Sequence, residues 1–71
     1  MSTPLKIILG RRIKEARKKA RITQEQLAEK AGVDYKYLQK MEGKAPPNLK
    51  LETIEKIAKA LKIDASSLLN Q

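Results

Sequence analysis

Gly32 constrains this chain more than any other residue, because it separates two short apolar-patterned segments that each begin with a helix-capping residue. Thr23 precedes the run QEQLAEKA, and Asp34 precedes YKYLQKM. A threonine hydroxyl or an aspartate carboxylate accepts from the open amides of the turn that follows it. Gln26, three residues after Thr23, completes a capping-box pattern. Glycine ends a helix readily, since it takes the left-handed conformation without the steric cost that a Cβ imposes. Leu27, Ala28 and Ala31 line the inner side of the first segment, Leu38 and Met41 that of the second, and Val33 fastens the corner. Two helices crossing steeply over a short turn need a small residue at closest approach, and Ala28 supplies it. The block from Gln24 to Met41 therefore predicts a helix, a tight turn and a second helix of about two turns.

Around that block the periodicity is also helical. Leu5, Leu9, Ile13, Ala16 and Ala20 recur at steps of three and four, one face of a helix behind Pro4, which a first turn tolerates. The other faces carry Lys6, Arg11, Arg12, Lys14, Arg17, Lys18 and Lys19 against a single acid, Glu15. Pro46 and Pro47 make the segment from Lys44 to Lys50 a loop, because consecutive prolines lack backbone donors and disfavour helical neighbours. Leu51, Ile54, Ile57, Ala58 and Leu61 then form an amphipathic stripe, and Asp64 is placed to cap a last short helix whose Leu68 and Leu69 fold back on the core. No internal repeat, low-complexity tract or strand-like alternation is present. The predicted fold is all-α, a compact bundle of about five short helices near 5–20, 24–31, 35–42, 51–61 and 65–70, in one domain over 1–71.

Composition narrows the chemistry. The 71 residues include no cysteine and no histidine, which removes disulfides, thiolate nucleophiles, imidazole bases and the usual zinc ligands. Ser66 and Ser67 have no base to activate them, so no catalytic residues, no metal ligands and no cofactor are expected, and the chain does not read as an enzyme. Sixteen basic against eight acidic residues give a formal charge of +8, which suits a polyanion, either nucleic acid or an anionic membrane. Leu5, Ile8, Leu9 and Ile13 opposite a cationic face would suit a membrane surface, yet the same residues are needed to close the core. No run approaches the roughly 18 apolar residues of a membrane span, and no signal peptide is recognisable, so a cytoplasmic location is expected. With Tyr35 and Tyr37 the only aromatic residues, there is no row of stacking platforms for single strands or RNA, which favours duplex DNA.

From Ile13 through TQEQLAEKAGVDYKYLQKMEGK to LETIEKIAKALKIDASSLL, the sequence resembles the lambda-repressor-like helix-turn-helix domain of phage repressors, Cro proteins and xenobiotic-response-element regulators. The resemblance implies that the second paired helix enters the major groove while the first crosses the backbone. It assigns Gln24 to a phosphate or to orienting a neighbour, Tyr35, Lys36 and Lys40 to base-facing positions, and Gln39 and Lys44 to the backbone. Lysine can donate to O6 and N7 of guanine, and a tyrosine can pack on a thymine methyl or donate to a phosphate. Asp34 reads first as a helix cap, with acceptance from cytosine N4 as its functional alternative, and Tyr37 as a packing residue. Arg17 and Glu42 match positions where the family forms an ion pair. Arg21 departs from the family's usual glycine, so it either adopts a left-handed conformation or the helix ends differently.

Function by resemblance is sequence-specific binding of double-stranded DNA by a repressor-like transcription regulator, prokaryotic or phage-encoded. A homodimer would read half-sites about 34 Å apart. Ile63, Leu68 and Leu69 serve either that dimer or the monomer core. The alternative is an antitoxin or protein-interaction module on the same fold, which an extra segment would signal; almost nothing follows the fifth predicted helix.

Overall fold

Five α-helices make up the computed structural model, which describes residues 3–69: α1 (Leu5–Lys19), α2 (Gln24–Ala31), α3 (Tyr35–Met41), α4 (Leu51–Leu61) and α5 (Ala65–Leu69). No strand occurs among the described residues. The helices at 24–31 and 51–61 fall where the periodicity places them. α1 stops at Lys19 rather than 20, and α3 at Met41 rather than 42. Position 70, the predicted end of the last helix, lies outside the described residues.

At eight and seven residues, α2 and α3 are shorter than the roughly 12–15 residues at which an isolated helix becomes even marginal in water. They exist because every helix gives side chains to one shared core. Ile13 of α1, Leu27 of α2, Leu38 and Met41 of α3, Ile57 of α4 and Leu68 of α5 are all essentially inaccessible to solvent. Burying one such side chain contributes about 1.5–3 kcal/mol, so each helix is held mainly by its partners.

Three apolar residues depart from the predicted stripes. Leu5 lies on the inward side of α1 but one turn beyond Leu9, past the edge of the core, and is 46% exposed. Ala20 is exposed because α1 has already ended. Leu51 is 60% exposed, since it occupies the first turn of α4 and points to one side of the line through Ile54, Ile57 and Leu61.

One glycine sets a distance that no periodicity signals. Gly10, inside α1, packs directly on the Met41 carbonyl at the end of α3, where a Cβ would collide with backbone. A glycine in a helix interior disfavours the helix by about 1 kcal/mol, and close approach of α1 to α3 is what it gives in return.

α1, α2 and α4 end by the same device. The residue after the last full turn takes positive φ at Arg21 (58°), Gly32 (69°) and Lys62 (59°). The next amide donates five residues back, from Ile22 to Arg17 at 3.3 Å, Val33 to Ala28 at 3.0 Å and Ile63 to Ala58 at 3.0 Å. Ile22, Val33 and Ile63 then fold onto the core as half-buried residues. This is the Schellman arrangement, which satisfies carbonyls left open at a helix end and adds an apolar contact. Arg21 thus adopts the left-handed conformation that its place in the sequence left open.

A left-handed non-glycine residue costs about 1–2 kcal/mol, against about 0.5–1 kcal/mol of extra chain entropy lost by glycine. Lys62→Gly is accordingly expected to stabilise the domain by about 0.5–1 kcal/mol. Urea unfolding followed by circular dichroism checks this; a destabilised variant would contradict it.

Candidate nucleic-acid interface

The start of α2 is fixed by a complete capping box. The Gln26 amide donates to Thr23 Oγ1 at 3.1 Å, and the Thr23 amide donates to Gln26 Oε1 at 2.9 Å. At the other end, Gly32 is left-handed with nothing within 4 Å of where a Cβ would stand, so the requirement for glycine there is conformational rather than steric. Asp34 then occupies the N-cap position of α3 with extended backbone angles, φ −66° and ψ 132°. Its carboxylate makes no capping hydrogen bond, contrary to the sequence expectation, and stands exposed. The carboxylate still lies at the favourable positive end of the helix dipole.

The far end of α3 is held by a polar junction. Glu42 has only 2% of its side chain exposed and accepts from three groups. Arg17 Nε lies 3.0 Å from Oε2 and 3.3 Å from Oε1, Arg17 Nη2 donates to Oε1 at 3.0 Å, and Gln24 Nε2 donates to Oε1 at 3.1 Å. Arg17 Nη1 also donates to the Ile22 carbonyl at 2.9 Å. One carboxylate therefore ties α1, the start of α2 and the end of α3, and Arg17 adds the turn after α1. The predicted Arg17 to Glu42 pair is present, and Gln24 turns its amide nitrogen inward to the same carboxylate. Among the described residues no buried polar side-chain atom lacks a partner.

What remains of α3 faces outward. Tyr35, Lys36, Gln39 and Lys40 are exposed, and Lys44 is exposed in the loop that follows. Residues three or four apart are neighbours on a helix surface, so the pairs Tyr35 with Gln39, Lys36 with Gln39 and Lys36 with Lys40 join these four side chains into one contiguous surface with no acid in it. Tyr37 is half-buried against the core, as its reading as a packing residue implies. Within the surface, Gln39 Nε2 donates to the Tyr35 hydroxyl at 3.0 Å. Tyr35 also walls a shallow groove of about 390 Å³ that it shares with Arg17, Arg21, Thr23 and Gln24. That groove places Arg21 beside the front of α3, a neighbour that the linear spacing gave no reason to expect. No cluster of acidic side chains suited to a metal ion occurs among the described residues, and no helix is long and apolar enough to cross a membrane.

Five helices arranged about the α2 to α3 corner define a lambda-repressor-like helix-turn-helix fold. The family model described as helix-turn-helix matches residues 13–68, and the chain belongs to that family. The HTH-type transcriptional regulator SinR of Bacillus licheniformis is 36% identical over 64 residues, covering 90% of this chain and 58% of SinR. The chain thus spans little more than half the length of that relative. The restriction-modification controller protein C.AhdI from Aeromonas hydrophila superposes with a TM-score of 0.83 at 33% identity, covering 89% of this chain and 94% of that one. C.Esp1396I, in a structure bound to a 19 base pair DNA duplex, superposes with a TM-score of 0.84 at 29% identity, covering 93% and 87%.

Removing one partner of a buried ion pair leaves the other charge desolvated without compensation. Glu42→Ala is expected to destabilise the domain by about 3–5 kcal/mol, against about 0.5 kcal/mol or less for Lys36→Ala on the exposed surface. Denaturant unfolding of both variants measures the contrast, and equal effects would remove Glu42 from its place at the junction.

Proposed function

We propose that this domain binds double-stranded DNA sequence-specifically and regulates transcription in the manner of a repressor, with α3 in the major groove. The observation that carries the reading is the acid-free outer surface of Tyr35, Lys36, Gln39 and Lys40, on a helix anchored from below at both ends. An α-helix with its side chains is about 10–12 Å across, which a major groove about 12 Å wide admits. The charge of +8 supplies the attraction to phosphate. Similarity to a controller protein bound to a DNA duplex supports the same geometry.

In this reading Lys36 and Lys40 donate to guanine O6 and N7, and Tyr35 meets a base edge or a phosphate. Gln39 and Lys44 lie towards the backbone, and Asp34, without a capping bond, is available to accept from a cytosine N4 amino group. Gln24 gives one amide hydrogen to Glu42 and keeps a second for a phosphate. The domain works without catalysis or cofactor, in the cytoplasm of a prokaryote or the host of a phage. It pairs as a two-fold dimer at least on DNA, and occupancy of an operator excludes other proteins from it. Leu68 is buried in the monomer, which leaves the half-buried Ile63 and Leu69 of that predicted trio for a partner.

Selection from random duplexes, followed by binding across a salt series, tests the proposal. With about four to six phosphates neutralised per subunit, the log–log slope is expected near −4 to −5 per monomer. Affinity indifferent to salt would overturn the reading. Lys36→Ala and Lys40→Ala are each expected to weaken preferred sites by about 1–3 kcal/mol and to relax base choice, whereas Gln24→Ala weakens all sites more evenly.

A further inference from the structure

The hydrogen bond between Gln39 and Tyr35 gives the outer surface of α3 a polarity that neither residue has alone. A phenol hydroxyl both donates and accepts, so an unconstrained tyrosine in a groove does not distinguish an acceptor edge from a donor edge. Here Gln39 Nε2 donates to that oxygen at 3.0 Å across one helical turn. One accepting position of the phenol oxygen is thereby occupied from within the protein, which leaves its hydrogen free to be donated outward. Tyr35 is 36% exposed, so the hydroxyl reaches solvent and any ligand that replaces it.

We propose that Gln39 is a positioning residue that makes Tyr35 a dedicated hydrogen-bond donor, selecting a base whose major-groove atom opposite the phenol is an acceptor and discriminating against one that places an amino group there. The acceptors of that class are thymine O4, guanine O6 and the purine N7 atoms, and the rejected groups are the amino groups at adenine N6 and cytosine N4. This rests on the DNA-binding reading and sharpens it. Gln39 then acts through its neighbour rather than on the phosphate backbone, and one position of the operator is read by a neutral group that Lys36 and Lys40 do not replace.

The test uses the full chain and a panel of duplexes, derived from its selected site, that substitute each base pair in turn. Circular dichroism confirms folding of variants whose altered side chains are exposed. Tyr35→Phe is expected to flatten the preference at one base pair of each half-site by about tenfold. Gln39→Ala is expected to flatten the same position several-fold, and the double variant no more than Tyr35→Phe alone, since both remove one interaction. Gln39→Glu is the decisive arm. A carboxylate accepts the phenol hydrogen instead of donating, which leaves the oxygen outward as an acceptor, so preference at that position is expected to move towards adenine or cytosine. Overall affinity falls as well, through repulsion from phosphate, but relative preference is independent of that loss. If the Gln39 variants change affinity and salt slope while the base profile stays as in the unsubstituted protein, Gln39 is a backbone contact and the proposal fails. A chain that binds no duplex at all would sink the DNA-binding reading itself, an outcome distinct from an unchanged profile.

Discussion

Glu42 is a carboxylate almost wholly removed from water, and the arrangement of the first three helices follows from the need to satisfy it. An ionised carboxylate in that position costs several kcal/mol in lost solvation unless donors surround it. Arg17 meets it with two nitrogens and Gln24 with a third. The guanidinium is planar and delocalised, which allows a forked approach that a lysine in the same place could not make. Because the donors come from α1 and the start of α2 while the acceptor follows α3, α3 cannot rotate or slide without breaking charged hydrogen bonds. The Gly32 turn fixes its opposite end. Between those restraints the outer surface of α3 has one orientation, the condition for reading bases rather than merely adhering to phosphate.

The same economy governs the rest of the molecule. A core this small leaves little stability to spare, so helix ends are closed tightly. Three Schellman ends perform that work, two of them with a charged residue in a conformation that glycine would hold more easily. Arg21 accepts that strain beside the groove at the front of α3, which it lines together with Tyr35. The cations along α1 repel one another in the free protein. A polyanion relieves that repulsion, so binding and folding stability are coupled through the net charge.

Much of this was legible in the residues themselves. The capping box at Thr23 and Gln26 and the left-handed Gly32 were readable because both are local: each involves atoms a few residues apart, and their geometry hardly depends on the rest of the chain. The pair of Arg17 and Glu42 was readable only through likeness to a family, since nothing in the spacing of two residues 25 apart brings them together. Asp34 shows the limit of local reasoning. It occupies the cap position that its type predicts, yet its carboxylate makes no capping bond. Leu5 and Leu51 show a second limit, because periodicity identifies a side of a helix without saying where the neighbouring helices stop.

Helix starts, the approximate helix ends, the net charge and the lack of cysteine and histidine belong to the sequence alone, because they depend on residue type and near neighbours. Tertiary structure decided the rest: that Gly10 lets α1 touch the carbonyl of Met41, that Gln24 turns inward to Glu42, and that Gln39 engages Tyr35 instead of pointing free. The physical reason is common to all three. A polar or missing side chain has several partners of similar energy within reach, and only the packed positions of the helices determine which of them it meets.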